Sequence, residues 1–262
     1  FALTEPNAGS DAGNTQTKAE LINEEYLVNG QKVFCTNAGY AGSIIFTSKI
    51  FEGGIDKGIG ALYVDAGTKG LNIGPKENKM GWRGSDTRAI YFDNLRIPKT
   101  NILGKPGKGF KQFLKTLTVG RIAISALALG NSIGAYNIAL KYSNERKAFG
   151  KNINKFQAIS FKLADMEMQI QASRQLIYHA AWLKDNKLDV IKDAAIAKLY
   201  SSEAAMKITN EAIQILGGYG YIKEYDVERF FRDAKILTIG EGTSEVQRIV
   251  IAREVLKKYC DT

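Results

Sequence analysis

Histidine and cysteine are almost missing from this chain of 262 residues, which has one of the first and two of the second. A multi-histidine metal site is therefore excluded, and no metal is expected. A His-centred triad would have to run through His179. That residue lies in a helical pattern with no Ser or Cys nucleophile beside it, so it reads as an ordinary helix histidine. Cys35 and Cys260 are far apart and lack metal-ligand spacing. Their scarcity fits a reducing compartment and gives no disulfide framework. No unbroken apolar run approaches the ~20 residues that cross a bilayer, so no membrane is expected. Phe1-Ala-Leu-Thr-Glu-Pro6 is no secretory signal, and an opening Phe suggests a fragment or a processed chain. Internal repeats and low-complexity tracts are also lacking.

What is present is 45% hydrophobic and 24% charged residues, the balance of a soluble globular protein with one large domain or two smaller ones. The net charge of +9 suggests an anionic partner: a nucleotide, coenzyme A, an acidic protein or nucleic acid. Lys and Arg come in ones and twos, as at Lys105, Lys108, Lys111 and Lys115, rather than in a basic arm. That scatter argues against nucleic acid.

Residues 1–103 read as β structure. Glu25–Phe34 is two apolar strands about Asn29-Gly30, the dipeptide of type I′ hairpins, and short strands follow at 43–48, 60–65 and 88–93. The spacing predicts an antiparallel sandwich or barrel-like domain. Pro98, Gly104, Pro106 and Gly107 mark a boundary. Beyond it the apolar period becomes helical, predicting helices over 110–143, 156–183, 190–216 and from 226 onward, the last interrupted by a loop at Glu241. The expected fold is α+β, a β domain at 1–103 followed by a four-helix bundle at 108–262.

Four stretches carry chemistry. Leu3–Asp11, with Lys32–Asn37, places hydroxyls and backbone amides around an aromatic at strand ends, the groups that hold a polar ring system. Taken alone, Leu3–Asp11 is a polar turn. Asn144–Lys151 puts Arg146 near an aromatic and a glycine, a combination that grips phosphate and stacks on a base, although cations at helix ends are common. Gln214–Tyr221 ends a helix instead of joining a strand to one, so it is a poor dinucleotide fingerprint and a good helix cap. Glu241 stands between Gly240 and Gly242, where a carboxylate can approach a ligand without crowding, just before the helix caps Thr243 and Ser244.

Taken in order, Leu-Thr-Glu-Pro-Asn-Ala-Gly-Ser-Asp (3–11), Lys-Val-Phe-Cys-Thr-Asn (32–37), Gly-Trp-Arg-Gly-Ser-Asp-Thr (81–87), Gly-Arg-Ile (120–122), Glu-Arg-Lys-Ala-Phe-Gly (145–150), Gln-Ile-Leu-Gly-Gly (214–218) and Glu-Gly-Thr-Ser-Glu-Val-Gln-Arg (241–248) resemble the acyl-CoA dehydrogenase family. The short-chain, butyryl-CoA type is nearest. The resemblance implies FAD between a middle β domain and a C-terminal helical bundle. It places Phe1, Leu3, Thr4, Gly9 and Ser10 along the flavin, and Phe34, Cys35 and Thr36 against its face. Phe34 replaces the Trp often found there. Arg146, Ala148, Phe149 and Gln157 would hold the pyrophosphate and adenosine, and Gln214, Ile215, Leu216, Gly217 and Gly218 the adenosine side, these two groups reaching the flavin of a neighbouring subunit. Gly242, Thr243, Ser244 and Glu245 would border the flavin phosphates and ring.

The same resemblance makes Glu241 the base that removes the α proton of an acyl-CoA thioester while a hydride leaves the β carbon for flavin N5. A flanking backbone N–H and a ribityl hydroxyl would steady the thioester oxygen. Ser10, Thr118, Arg121, Glu241 and Gly242 would meet the substrate. Thr118 departs from a usual Asp, which removes one polar contact to the coenzyme A or nearby backbone; Gly240 departs from a Tyr, which reshapes the acyl pocket, so acyl chain length does not transfer. Gly120 empties the position where a minority of the family carries its catalytic Glu. Expected partners are an electron-transfer flavoprotein and further copies of the chain, as a tetramer built from two dimers, in bacterial cytoplasm or the mitochondrial matrix. Family members begin with a helical domain of on the order of a hundred residues, and part of the acyl pocket would lie there. The same scaffold serves enoyl-CoA reductases and acyl-CoA oxidases. Outside enzymes, the alternative is a non-catalytic or nucleic-acid-binding flavoprotein.

Overall fold

β-branched and aromatic residues alternate with polar ones through the first hundred positions, and that period buries one side of a strand while wetting the other. In the computed structural model, which describes residues 1–260 (258–260 by backbone alone), they form β1 (Lys18–Ile22), β2 (Glu25–Thr36), β3 (Ser43–Glu52), β4 (Ile55–Asp65), β5 (Leu71–Lys76) and β6 (Thr87–Pro98). The six make one sheet in the order β4-β3-β1-β2-β6-β5. The side chain of Cys260 lies outside the described residues. Two compact units divide the chain, at 1–116 and 117–262.

In the first unit Tyr26, Phe46, Ile50, Leu62, Ile90, Leu95 and Ile97 are fully buried. The rings of Phe46 and Phe92 stack at 4.4 Å. Each such side chain contributes roughly 1.5–3 kcal/mol by leaving water. The sheet is mixed rather than wholly antiparallel, because β1 pairs parallel with β3. β1, five residues long and unread in the sequence, inserts between β2 and β3 and separates strands that follow one another in the chain.

The hairpin expected at Asn29-Gly30 is not formed. Both residues lie inside β2, at a bulge where the register against β6 shifts between Val28 and Gly30. Gly30 has φ 146°, and a Cβ there would stand 2.6 Å from the Thr17 hydroxyl oxygen, so glycine serves close approach. The true turn is Asn23-Glu24, both with positive φ (49° and 65°), closed by the Ile22–Glu25 pair. That is the type I′ geometry, made without glycine.

A buried lysine fastens the first residues to this sheet. Lys32 donates from Nζ to Leu3 O (3.1 Å), Glu5 Oε1 (2.7 Å), Thr15 Oγ1 (3.1 Å) and Thr47 Oγ1 (2.9 Å). Glu5 also accepts from the Thr15 hydroxyl and from the amides of Gln16 (2.5 Å) and Thr17 (3.2 Å). Burial alone would raise the Glu5 carboxyl, but Lys32, Thr15, Gln16 and Thr17 outweigh it and bring it down to about 2.

α1 (Gly109–Glu145) begins in the first unit. A Cβ on Gly109 would sit 2.1 Å from Ala61 N, and Phe113 is buried with its ring edge-on to Phe1 at 5.6 Å. By length and composition α1 is apolar enough to cross a membrane. Counting unbroken apolar runs overlooks this, because Ser125, Gly130, Ser132 and Gly134 interrupt the run without adding charge. The two serines satisfy their hydroxyls on Arg121 O and Ala128 O.

The second unit continues through a small hairpin, β7 (Lys147–Ala148) and β8 (Lys151–Asn152), to α2 (Gln157–Asp185), α3 (Ile191–Leu216), α4 (Gly218–Tyr221), α5 (Val227–Leu237) and α6 (Ser244–Cys260). The segment from 226 onward is thus two helices joined by the Glu241 turn. α3 packs on α2, α5 and α6. Its buried face is rich in alanine (Ala194, Ala197, Ala204, Ala205, Ala212), and small side chains let neighbouring helices approach. Leu129 and Ala135 of α1 join Met166 and Ile170 of α2 and Ile208 of α3 in the core. Gly134 is bare where the Phe230 ring of α5 presses on α1. His179 lies 3.7 Å from Asp193, and no metal-ligand cluster occurs among the described residues.

Glu5→Leu strands the Lys32 ammonium in the sheet, and the expected cost is ~3–5 kcal/mol, while Glu5→Leu with Lys32→Met recovers most of it. Hydrogen exchange of the β2 amides measures both. Since the folded Glu5 is depressed below its ordinary 4.5, its stabilisation is complete above that pH and is lost as pH falls toward about 2.

Candidate active site

The Glu241 turn is built by the end of one helix and the start of the next. α5 closes with Gly240 N–H donating to Ile236 O at 2.8 Å, and α6 opens with Thr243 Oγ1 accepting from Val246 N at 3.3 Å, the cap expected of it. Between them Glu241 has φ 56° and Gly242 φ 88°, two successive left-handed residues. A non-glycine residue is held there only when its surroundings over-determine it. Gln247, fully buried, donates from Nε2 to Glu241 O (3.2 Å) and Gly242 O (2.8 Å). Lys198 of α3 donates to the same Gly242 O at 2.7 Å.

The half-buried Glu241 carboxylate lies against the bare backbone of α1 at Gly120, where a Cβ would be 2.7 Å from Oε2. Burial raises its pKa above the ordinary 4.5, and the positive charges of Arg121 and Lys198 oppose that rise. Arg121 is buried, with Nε unpaired. Ser244 Oγ and Gln247 Oε1 are likewise buried without a partner among the described residues. Arg121 Nε–H and the Ser244 hydroxyl are unsatisfied donors and Gln247 Oε1 an unsatisfied acceptor, a set that suits a polar ligand. Thr118 lies less than a turn before Arg121 on α1, and Glu245 is exposed in the first turn of α6, its pKa lowered by its own backbone amide and Thr243.

The Arg146 group forms a second cluster in the same unit. Tyr142, Arg146, Ile215, Leu216, Gly217, Gly218 and Tyr219 line an open cavity of ≈ 440 Å³ with Ile153 and Ile222. The Arg146 guanidinium lies 5.8 Å from the Tyr219 ring centroid. Ala148 and Phe149 border an adjoining hollow. Phe149 sits in the β7–β8 turn with φ 51°, which throws its ring almost wholly into solvent. Gln157 is exposed where α2 begins, and Gln214 is exposed in the last turn of α3. Gly217, with φ 60°, caps α3, as its position after the helical pattern predicted.

In the first unit Thr4 O accepts from Val33 N at 2.8 Å, which lays Leu3 and Thr4 beside Phe34. Phe34 is 67% exposed at φ 57°, and Thr36 is exposed with it. Cys35 turns its thiol into the core, where burial lifts it to about 11, so only its backbone is presented alongside them. Gly9 and Ser10 are exposed in the turn after Ala8.

Sequence reasoning missed Lys198, Gln247 and the Tyr142–Tyr219–Tyr225 aromatic cluster. The signal for Lys198 was present: a lysine on the stripe Ala194, Lys198, Ser201, Ala205, Ile208, where the other members are small or apolar.

Two family models match the chain in tandem: "Acyl-CoA dehydrogenase, middle domain" over residues 1–95 and "Acyl-CoA dehydrogenase, C-terminal domain" over 107–256. A Bacillus subtilis protein named probable acyl-CoA dehydrogenase YngJ is 55% identical over 98% of the chain and 68% of its own length. Subunit CarC of the caffeyl-CoA reductase-Etf complex of Acetobacterium woodii is 46% identical over 98% of the chain and 68% of its own length. The structure of butyryl-CoA dehydrogenase from Megasphaera elsdenii superposes with a TM-score of 0.94 at 47% identity, covering 98% of this chain and 67% of that one. The chain therefore spans about two thirds of the length of these relatives. With both of its units matched in order, and with this degree of identity, the chain belongs to the acyl-CoA dehydrogenase family.

Proposed function

We propose that this chain removes the α proton of an acyl-CoA thioester with Glu241, in an α,β-dehydrogenation that yields the trans-2-enoyl-CoA. The observation that carries the reading is the Glu241 carboxylate, half-buried on the bare backbone of Gly120 between two cations. A base for this step has to be ionised yet not over-stabilised by water, and burial opposed by Arg121 and Lys198 provides that balance. The left-handed turn supports an aimed side chain, and a backbone N–H flanking it would stabilise charge developing on the thioester oxygen.

Members of the family are FAD-dependent oxidoreductases, and the residues here suit that group. Ser244 Oγ and Gln247 Oε1 are unpaired beside the N-terminus of α6, and Phe34 presents an exposed ring above a buried Cys35. When bound, FAD supplies the acceptor for the hydride that leaves the β carbon. Arg121 and Arg146 are both on or just past α1, on the order of 38 Å apart at 1.5 Å per residue. The Glu241 and Arg146 groups are therefore too widely separated for one compact site. That supports the reading in which the Arg146 group serves the cofactor of a neighbouring copy, within a dimer of dimers. An electron-transfer flavoprotein is the proposed acceptor of the electrons, since CarC carries Etf in its name. The same relative favours enoyl-CoA reduction as the second reading, and the preferred electron partner separates the two directions.

Anaerobic addition of butyryl-CoA to the flavin-loaded protein should bleach the flavin. Glu241→Gln should slow that bleaching by ~10²–10⁴-fold while leaving ligand binding in place. Its pH profile in the unsubstituted protein should show an acid limb above the ordinary 4.5 of a glutamate, activity rising as Glu241 deprotonates. Near-normal bleaching by the Gln variant, or none by any acyl-CoA in the parent, would defeat the reading. Gly120→Ala sets a methyl 2.7 Å from Oε2, and the carboxylate has to swing away. Stopped-flow reduction should slow by up to ~100-fold, with melting temperature little changed.

A further inference from the structure

Lys198 is fully buried in the middle of α3. Its polar neighbours on that helix close their hydrogen bonds locally, as Ser201 Oγ does on Ala197 O at 2.7 Å. Lys198 instead reaches out of the helix to a backbone carbonyl, Gly242 O, and so spends a buried ammonium on the turn that carries Glu241. Burying such a group is unfavourable without good compensation. A neutral donor already reaches the same oxygen, because Gln247 Nε2 lies 2.8 Å from it. The lysine therefore adds what the glutamine lacks, a positive charge and a tether to a second helix.

We propose that Lys198 is the positioning residue of the Glu241 turn: its ammonium pins the Gly242 carbonyl, fixes the left-handed backbone that aims the Glu241 carboxylate, and places a buried positive charge beside it. The inference rests on the reading of Glu241 as the base. α3 and α6 both hold the Glu241-Gly242 segment, Lys198 through one oxygen and Gln247 through two. The charged groups around the turn come from three helices. Arg121 belongs to α1, Lys198 and Glu203 to α3, and Glu245 and Arg253 to α6. On α5, Lys235 is exposed and its ammonium lies 3.4 Å from Thr238 Oγ1. Burial draws the Lys198 ammonium down to about 8, with Arg121 adding to the depression while Glu241, Glu245 and Glu203 oppose it. Its positive charge stands second to that of Arg121 in opposing burial at Glu241.

The test pairs Lys198→Met, which keeps the bulk and removes charge and donor, with Lys198→Arg, which keeps a buried cation. Carboxylate ¹³C NMR titration, with Glu241→Gln to identify the Glu241 signal, reads the midpoint of the base without any turnover. The Met variant should raise that midpoint by about one pH unit, and the Arg variant should stay within about half a unit of the parent. Flavin reduction by butyryl-CoA at pH 6 should fall in the Met variant, by up to ~10-fold through the smaller ionised fraction of Glu241, and return toward the parent rate in the Arg variant. Gln247→Met, which removes a neutral donor to the same carbonyl, should slow reduction without moving the midpoint.

An unmoved midpoint with an unchanged rate in the Met variant overturns the proposal. If that variant fails to fold, the Arg variant decides: a parent-like midpoint and rate support the role, and a displaced midpoint overturns it. A parent protein whose flavin butyryl-CoA leaves oxidised defeats the dehydrogenase reading instead, and the NMR midpoints still decide the lysine.

Discussion

A carboxylate held half out of water, against bare helix backbone and between two cations, is the constraint on which the helical unit depends. Burial makes the charged form of Glu241 costly, and the positive charges of Arg121 and Lys198 make it tolerable. The geometry has to satisfy both without a direct ion pair that would quench the base. Glycine at 120 supplies the space, and a strained turn supplies the aim. These features are contributed by α1, α3 and α6, which explains why the site needs the packed bundle and cannot be carried by the loop alone.

Both units solve a similar problem with a buried lysine. In the sheet, Lys32 holds the irregular first residues through Leu3 O and Glu5; in the bundle, Lys198 holds an irregular turn through Gly242 O. The two ammoniums are partnered differently. Lys32 has a carboxylate partner at 2.7 Å, whereas Lys198 donates to a neutral carbonyl and keeps its charge available to a neighbouring group. One lysine serves the framework, and the other stands next to the chemistry.

Much of the β unit and nearly all of the helices were legible from apolar period. The failures were local. Asn29-Gly30 has the composition of a hairpin turn, but the glycine is needed where Thr17 comes within reach of its missing side chain. Asn23-Glu24, with an unremarkable composition, makes the real turn because the strands on either side pair in register. β1 is too short to announce itself, yet it decides that the sheet is mixed. Likewise Cys35 and Phe34 are neighbours in a single motif, and only the pleat shows that one faces the core and the other solvent.

By itself the sequence determined the family resemblance, the order β then α, and the identity of Glu241 as the carboxylate of interest, because these rest on local motifs and on periodicity. Tertiary structure decided what surrounds that carboxylate. Gly120, Arg121, Lys198 and Gln247 come from positions as far as 121 residues away in the chain, and distances of that kind leave no pattern in a single sequence. The balance of burial against positive charge is a property of packing, since each contribution depends on how near the groups lie and how much water remains between them.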